Sequence, residues 1–296
     1  MTSPVALPLN AGIFGEWLAA LGLVRVADSI CPHSTLCFDK EGRAVLSTGA
    51  AEGDMVRRII ESATPASVRV CCYSPAGAPG VSTVRIGDDL FSMTERSLAD
   101  DGKLPAFLKN EDAKAGLLIR LDALGGIEVA HFPGKAMTDC AGLKSPLKLW
   151  AGTISLPTIL RQLTTFVAEQ PAGISLEQLL SRRLRNTQRL RFDNTGEQFM
   201  EDGGHNTQSG AETRPVVEWL GLIGLSFFPP EAGFTALLES RRRLRAGIWH
   251  HPLDAPALLL AIHNGHFDEF QVFAIASDGK MKKIRPGGAG QTTRKS

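Results

Sequence analysis

The amino-acid sequence predicts an α+β fold, with a mixed or antiparallel sheet and packed helices. Apolar runs of strand type and apolar faces of helical spacing are interleaved without the regular βαβα alternation of a doubly wound sheet. Gly125-Gly126 stands between two strand-like runs, Leu117 to Leu121 and Ile127 to Phe132, which is a hairpin signal. With 296 residues and 43% hydrophobic content, the chain can bury a full core. Residues 1–278 are expected to form one α+β domain, and 279–296 a basic, Gly-rich C-terminal tail without fixed structure.

In chain order, Val5 to Leu9 reads as a strand and Asn10 as an N-cap, followed by a helix with Phe14, Trp17, Leu18 and Leu21 on one face. Gly22 is read as the helix stop, with Leu23 to Ala27 as a following strand. A short helix is expected over Asp54 to Glu61, strands over Val68 to Tyr73 and Val81 to Ile86, and a short helix over Pro105 to Asn110. Leu156, Ile159, Leu160, Leu163 and Val167 define a helix face, and Ser175 with Gln178 forms a capping box for the next helix. Its basic end leads into a basic strand and then a long polar loop near 194–213, of the kind that usually serves a function.

After the loop, Glu218, Trp219, Leu220, Gly224 and Leu225 repeat the order and spacing of Glu16, Trp17, Leu18, Gly22 and Leu23. This echo fits either two related βαβ halves or a common local solution of helix, glycine and strand. Phe234 to Arg245 is read as helical and Pro256 to His263 as an apolar helix. Phe270 to Ala276 is read as a strand, and Asp278-Gly279 as a turn before Lys280 to Ile284.

The 32 basic and 31 acidic residues leave a net charge of +1, so no global field draws the chain to nucleic acid or membrane, and such binding needs local patches. Five cysteines, an odd number at irregular spacings, point to a reduced, cytoplasmic protein. No apolar run is long enough for a membrane span, and no membrane partner is expected. Phosphate-loop, dinucleotide-binding and nucleophile-elbow patterns are absent, which removes support for nucleotide hydrolysis and dehydrogenase chemistry.

Among the histidines, His205 lies in the polar loop, where an imidazole near basic residues suits a general base on an RNA 2′-hydroxyl or simply a solvated position. His250-His251 and the pair His263 and His266 fit structural or surface roles better than zinc, because glycine interrupts the H-x-x-H spacing. Cys31, His33 and Cys37 lack a second ligand pair, and Asp193, Glu197, Glu201 and Asp202 lack a cation-loop pattern. No cofactor or metal is expected. The stronger signal is arginine: Arg182, Arg183, Arg185, Arg189 and Arg191 form one group, and Arg241, Arg242, Arg243 and Arg245 a second. Segregated arginine suits bidentate phosphate contacts and stacking on bases, while a solvated helix end is the plainer alternative. Lys144 and Lys148, beside Trp150, add to the basic set.

These motifs together resemble the Csb-type subunits, in particular the third Csb family, of type I-G (formerly I-U) CRISPR-Cas effector complexes. Asn10-Ala11-Gly12, Phe14, Leu18-Ala19-Ala20-Leu21-Gly22-Leu23 and Ala27-Asp28 resemble that family's opening, with Ala11 where it has proline. Lys148-Leu149-Trp150 with Gly152 is similar to its K-L-W-x-G, and Arg191-Phe192-Asp193 to its R-F-x-F-D region. Arg214-Pro215, Glu218, Leu220, Gly224-Leu225 and Phe228-Pro229 resemble a later segment, and Trp249, Pro252 and Leu253 a late W-x-x-P-L. Gly203-Gly204-His205-Asn206-Thr207 departs from the G-F-S expected in the loop. The resemblance implies a non-hydrolytic, cytoplasmic subunit with an RRM-like (ferredoxin-like) core carrying insertions. It also implies guide RNA (crRNA), target DNA and other Cas subunits as partners.

The resulting expectation is a non-catalytic subunit that contacts the crRNA or target-DNA backbone and neighbouring Cas subunits. Its expected contacts are Lys144, Lys148, Arg182, Arg183, Arg185, Arg189, Arg191, His205, Arg241, Arg242 and Arg245. Two alternatives remain open at this level. One is a metal-independent crRNA-processing endoribonuclease using His205 or His250, and the other a protein-only scaffold whose arginines pair with acidic neighbours.

Overall fold

A computed structural model describes residues 4–75, 82–86, 89–100, 116–132, 156–171, 173–185, 190, 192, 212–228, 238–240, 243–278 and 281–286. Two helices occupy its centre. Helix α1 (Phe14–Ile30) is buried on nearly every side from Phe14 to Ala27, and all ten residues of Pro215–Gly224 are buried. A helix that is apolar all round belongs inside a core rather than on its surface. The chain is a mixed α+β fold in which antiparallel sheets and the remaining helices pack around this pair.

The first sheet joins β1 (Val5–Asn10), β2 (Thr35–Phe38), β3 (Arg43–Ser47) and the short β13 (Leu253–Asp254) in the order β1-β3-β2-β13. Helix α2 (Glu52–Ser62) follows β3. The second sheet has the order β5-β6-β4-β7-β8, from β4 (Val68–Pro75), β5 (Ser82–Ile86), β6 (Asp89–Ser97), β7 (Gly116–Leu121) and β8 (Ile127–Phe132). The predicted hairpin is β7–β8; a helical turn at Asp122–Leu124 precedes Gly125 and Gly126, both at positive φ.

Helices α3 (Leu156–Ala168) and α4 (Leu176–Ser181) lead to β9 (Leu184–Arg185), which pairs with β10 (Glu212–Thr213) immediately before α5 (Pro215–Gly224). The capping box forms as the sequence predicts: Gln178 N donates to Ser175 Oγ at 3.2 Å and Ser175 N to Gln178 Oε1 at 3.4 Å. The last sheet is β11-β12-β14-β15, from β11 (Leu238–Ser240), β12 (Arg243–Ile248), β14 (Glu269–Asp278) and β15 (Met281–Pro286). Helix α6 (Ala255–Asn264) stands between β13 and β14.

Several local expectations are corrected. Gly22 does not end α1: the helix runs on through the segment Leu23 to Ala27 that reads as a strand. Gly22 is needed for close approach, because a Cβ there would stand 1.9 Å from the Leu220 carbonyl oxygen. Asn10 is not the N-cap; its Oδ1 accepts from Gly12 N at 2.7 Å and its own N–H donates to Glu16 Oε2 at 2.6 Å. Leu225–Phe227, read as the start of a strand after α5, is a helical turn.

The stretch Phe234 to Arg245 holds good helix formers but carries β11 and the start of β12. Arg243-Leu244-Arg245-Ala246 alternates, Leu244 and Ala246 face the core, and pairing with β14 overrides local propensity. β15 extends the last sheet to Pro286, into the stretch expected to be a tail. Strands β2, β3 and β6 had no counterpart in the sequence reading. The helix expected over Pro105 to Asn110 lies outside the described residues.

Candidate nucleic-acid interface

The arginine group at the end of α4 is built by the capping box at its start and a C-terminal stop at Arg182. Arg182 N still donates to Gln178 O at 3.1 Å while its own backbone is extended. The chain then pairs Leu184 and Arg185 with Thr213 and Glu212, so β9 and β10 clamp the two ends of the long polar loop. Arg182, Arg183 and Arg185 are all exposed. Arg182 Nη1 donates to Gln170 Oε1 at 2.5 Å, beside an open depression lined by Pro171, Gly173, Ile174 and Ser181.

Arg183 and Arg185 make no ion pair among the described residues, and Arg182 donates to the neutral amide of Gln170. Arginines elsewhere differ. Arg43 meets Asp39 at 2.7 Å, Arg57 meets Asp54 at 2.6 Å, Arg69 meets Asp122 at 2.9 Å, and Arg120 meets Glu128 at 2.7 Å.

Beyond β9, Leu190 and Phe192 are fully buried, and Gly221 of α5 leaves room for the Phe192 ring, whose Cδ2 would lie 3.1 Å from a Cβ there. The Phe192 ring thus seats this part of the chain against α5. Arg189, Arg191, Lys144, Lys148, His205, Arg241 and Arg242 themselves lie outside the described residues, as does the loop from 194 to 211.

Arg245, from the second arginine group, lies on β12 with its guanidinium 5.8 Å from the centre of the Phe267 ring. The closure by β9 and β10 and the placing of Arg245 beside Phe267 are features that sequence reasoning did not find. Only the period-two pattern around Leu244 and Ala246 hinted at the second.

The remaining candidates are tied into structure. His250 Nδ1 lies 3.0 Å from the Phe38 carbonyl oxygen, and His251 Nδ1 lies 3.2 Å from Asp268 Oδ2. His263 contacts the Phe227 carbonyl oxygen at 3.2 Å, while Gly265, in the left-handed conformation, ends α6 before His266. Among the described residues no group of three or more His, Cys, Asp or Glu side chains is arranged to hold a metal ion. Cys31 and Cys37 are half-buried free thiols and Cys71 is a buried one. Burial, reinforced by Asp39, raises the pKa of Cys37. No helix among the described residues is long and apolar enough to cross a membrane.

No family model, curated protein sequence or solved structure matches this chain.

Proposed function

We propose that this chain is a non-catalytic, guide-RNA-binding subunit of a type I CRISPR-Cas interference complex, cytoplasmic and assembled with other Cas subunits. Arg182, Arg183 and Arg185 hold the sugar-phosphate backbone of crRNA or of target DNA, and the loop that β9 and β10 close reaches the nucleic acid or a neighbouring subunit. The carrying observation is the exposure of these three arginines without a carboxylate partner among the described residues, in a chain that pairs Arg43, Arg57, Arg69 and Arg120 with acids. A guanidinium left in solvent keeps its donor fork available for phosphate.

An RRM-like core belongs to the same proposal. It is supported by the run β1-α1-β2-β3-α2 with strand order β1-β3-β2, which corresponds to the first five elements of the ferredoxin-like βαββαβ unit.

The test is co-expression of the chain with its genomic neighbours, purification through a tag on this subunit, and sequencing of the RNA that accompanies it. Discrete spacer-containing RNAs with several partner proteins are expected. Replacing Arg182, Arg183 and Arg185 with alanine is expected to weaken RNA retention and to flatten its salt dependence by about 0.7 in log-log slope per lost phosphate. Recovery of the protein free of RNA overturns the reading.

A further inference from the structure

We infer that the depression beside Arg182 is a pocket for one unstacked base of the strand whose backbone the α4 arginines hold. The inference rests on the reading of Arg182, Arg183 and Arg185 given above, and it names what the same site takes besides phosphate.

The depression is made where the chain passes from α3 to α4. Ile174 N donates to the Pro171 carbonyl oxygen at 3.4 Å, which closes a tight turn, and Ser175 then caps α4. Turn and helix together border a volume of about 590 Å³, lined by Pro171, Gly173, Ile174, Gln178, Ser181 and Arg182. That lies within the roughly 300–1,000 Å³ typical of small-ligand sites. Gly173 has a φ of 84°, which an L side chain rarely adopts, and nothing lies within 4 Å of its Cβ position, so the depression stays open on that side.

The lining divides by chemistry. Pro171 and Ile174 supply an apolar wall, and Ile174 is held in place by packing against the core. Gln178 and Ser181 are three positions apart on α4 and share one face of it. Gln178 spends its carbonyl oxygen on the capping box, and among the described residues neither its amide nitrogen nor the Ser181 hydroxyl has a hydrogen-bond partner. Arg182 is steadied from the other side by Gln170, and no carboxylate lines the depression. The polar rim therefore offers donors, which suit the carbonyl oxygens and ring nitrogens on the edge of a base, while the apolar wall suits its flat face. A mostly apolar wall with a few convergent polar groups is the general make-up of a site for a small planar group.

The neighbourhood decides the occupant. Arg183 and Arg185 follow directly and are exposed, with no ion pair among the described residues, so the anionic backbone on one side of the base has its counter-charge at hand. Single strands are recognised by splaying out individual bases and contacting their faces and edges.

The experiment measures fluorescence anisotropy of the full chain with labelled oligo-uridine of about 12 nucleotides and with an abasic ribose-phosphate oligomer of the same length. Both carry the same charge, so the difference between them reads the bases alone. The wild-type chain is expected to bind oligo-uridine about tenfold more tightly than the abasic oligomer. Ser181→Phe fills the depression from an exposed position. It is expected to abolish that difference while leaving affinity for the abasic oligomer, and its salt dependence, unchanged. A second measurement needs no variant: irradiation with oligo-uridine containing 4-thiouridine is expected to cross-link the tryptic peptide 162–182, which carries the whole lining.

Equal affinity of the wild-type chain for the two oligomers overturns the inference and leaves the phosphate contacts standing. An undiminished difference in folded Ser181→Phe overturns it as well, and so does cross-linking confined to other peptides. An Arg182→Ala/Arg183→Ala/Arg185→Ala variant that binds the abasic oligomer as tightly as wild type sinks the phosphate contacts themselves. A wild-type chain that binds neither oligomer removes both.

Discussion

Gly22 and Gly224 face each other where α1 crosses α5, and each is seated against the other helix's backbone. A Cβ on Gly22 would stand 1.9 Å from the Leu220 carbonyl oxygen, and a Cβ on Gly224 would stand 2.1 Å from that of Leu18. Leu18 and Leu220 hold equivalent places in the repeated segments, so the contact is reciprocal. The repetition of Glu16-Trp17-Leu18 and Gly22 as Glu218-Trp219-Leu220 and Gly224 is thereby explained as one crossing built from two like halves.

Gly22→Ala and Gly224→Ala are each expected to destabilise the chain. Alanine gains about 1 kcal/mol in helix propensity, but the crossing leaves no room for a methyl group, and overpacking of this kind costs about 1–3 kcal/mol or more. Here backbone meets backbone, so the upper part of that range applies. Gly53 of α2 is the control: nothing lies within 4 Å of its Cβ position, and Gly53→Ala is expected to stabilise by about 0.5 kcal/mol. Urea denaturation of the three variants checks the opposite signs.

The two halves are also joined by charge. Arg214, just before α5, donates to Glu16 Oε1 of α1 at 2.5 Å, and both residues are buried. Arg214→Ala strands a buried carboxylate and is expected to cost about 3–5 kcal/mol. The double variant Glu16→Gln/Arg214→Met is expected to be more stable than Arg214→Ala alone, because position 16 then carries no charge to strand. A double-mutant cycle in denaturant gives the coupling.

Cys71 is expected to be inert. It is buried on β4 with Glu95 nearby, and burial first, then that carboxylate, pushes its pKa from the ordinary value near 9 up to about 12. The folded state therefore favours the neutral thiol. The stability this contributes is fully present below about pH 9, where the unfolded thiol is also protonated, and is lost as pH rises toward about 12. Thiol labelling at pH 8 with peptide mapping is expected to modify half-buried Cys31 before Cys71, and Cys71→Ala is expected to reduce the loss of stability above pH 9.

Ser175→Ala removes the capping box of α4 and is expected to cost about 1 kcal/mol. Because α4 has only six residues and carries Arg182 at its end, the same substitution is expected to raise hydrogen exchange at Leu179, Leu180 and Arg182. Equal exchange in variant and wild type counts against the cap as the support of the arginine group.

Features set by near neighbours along the chain could be read from the residues alone. The capping box at Ser175 and Gln178, the faces of α3 and α6, the β7–β8 hairpin and the segregation of arginine were legible because each depends on residues a few positions apart. Contacts between distant segments were settled by packing alone. Arg214 and Glu16 are 198 positions apart, and Trp17 Nε1 donates to the Gly247 carbonyl oxygen across 230. Gly22 looked like a stop because a helix-interior glycine is costly until a second backbone needs its space, and α5 supplies that backbone. The same holds for β12, whose residues favour a helix in isolation and form a strand because β14 pairs with them and the core accepts Leu244 and Ala246. Local periodicity is written in the sequence, whereas packing chooses which of its readings survives.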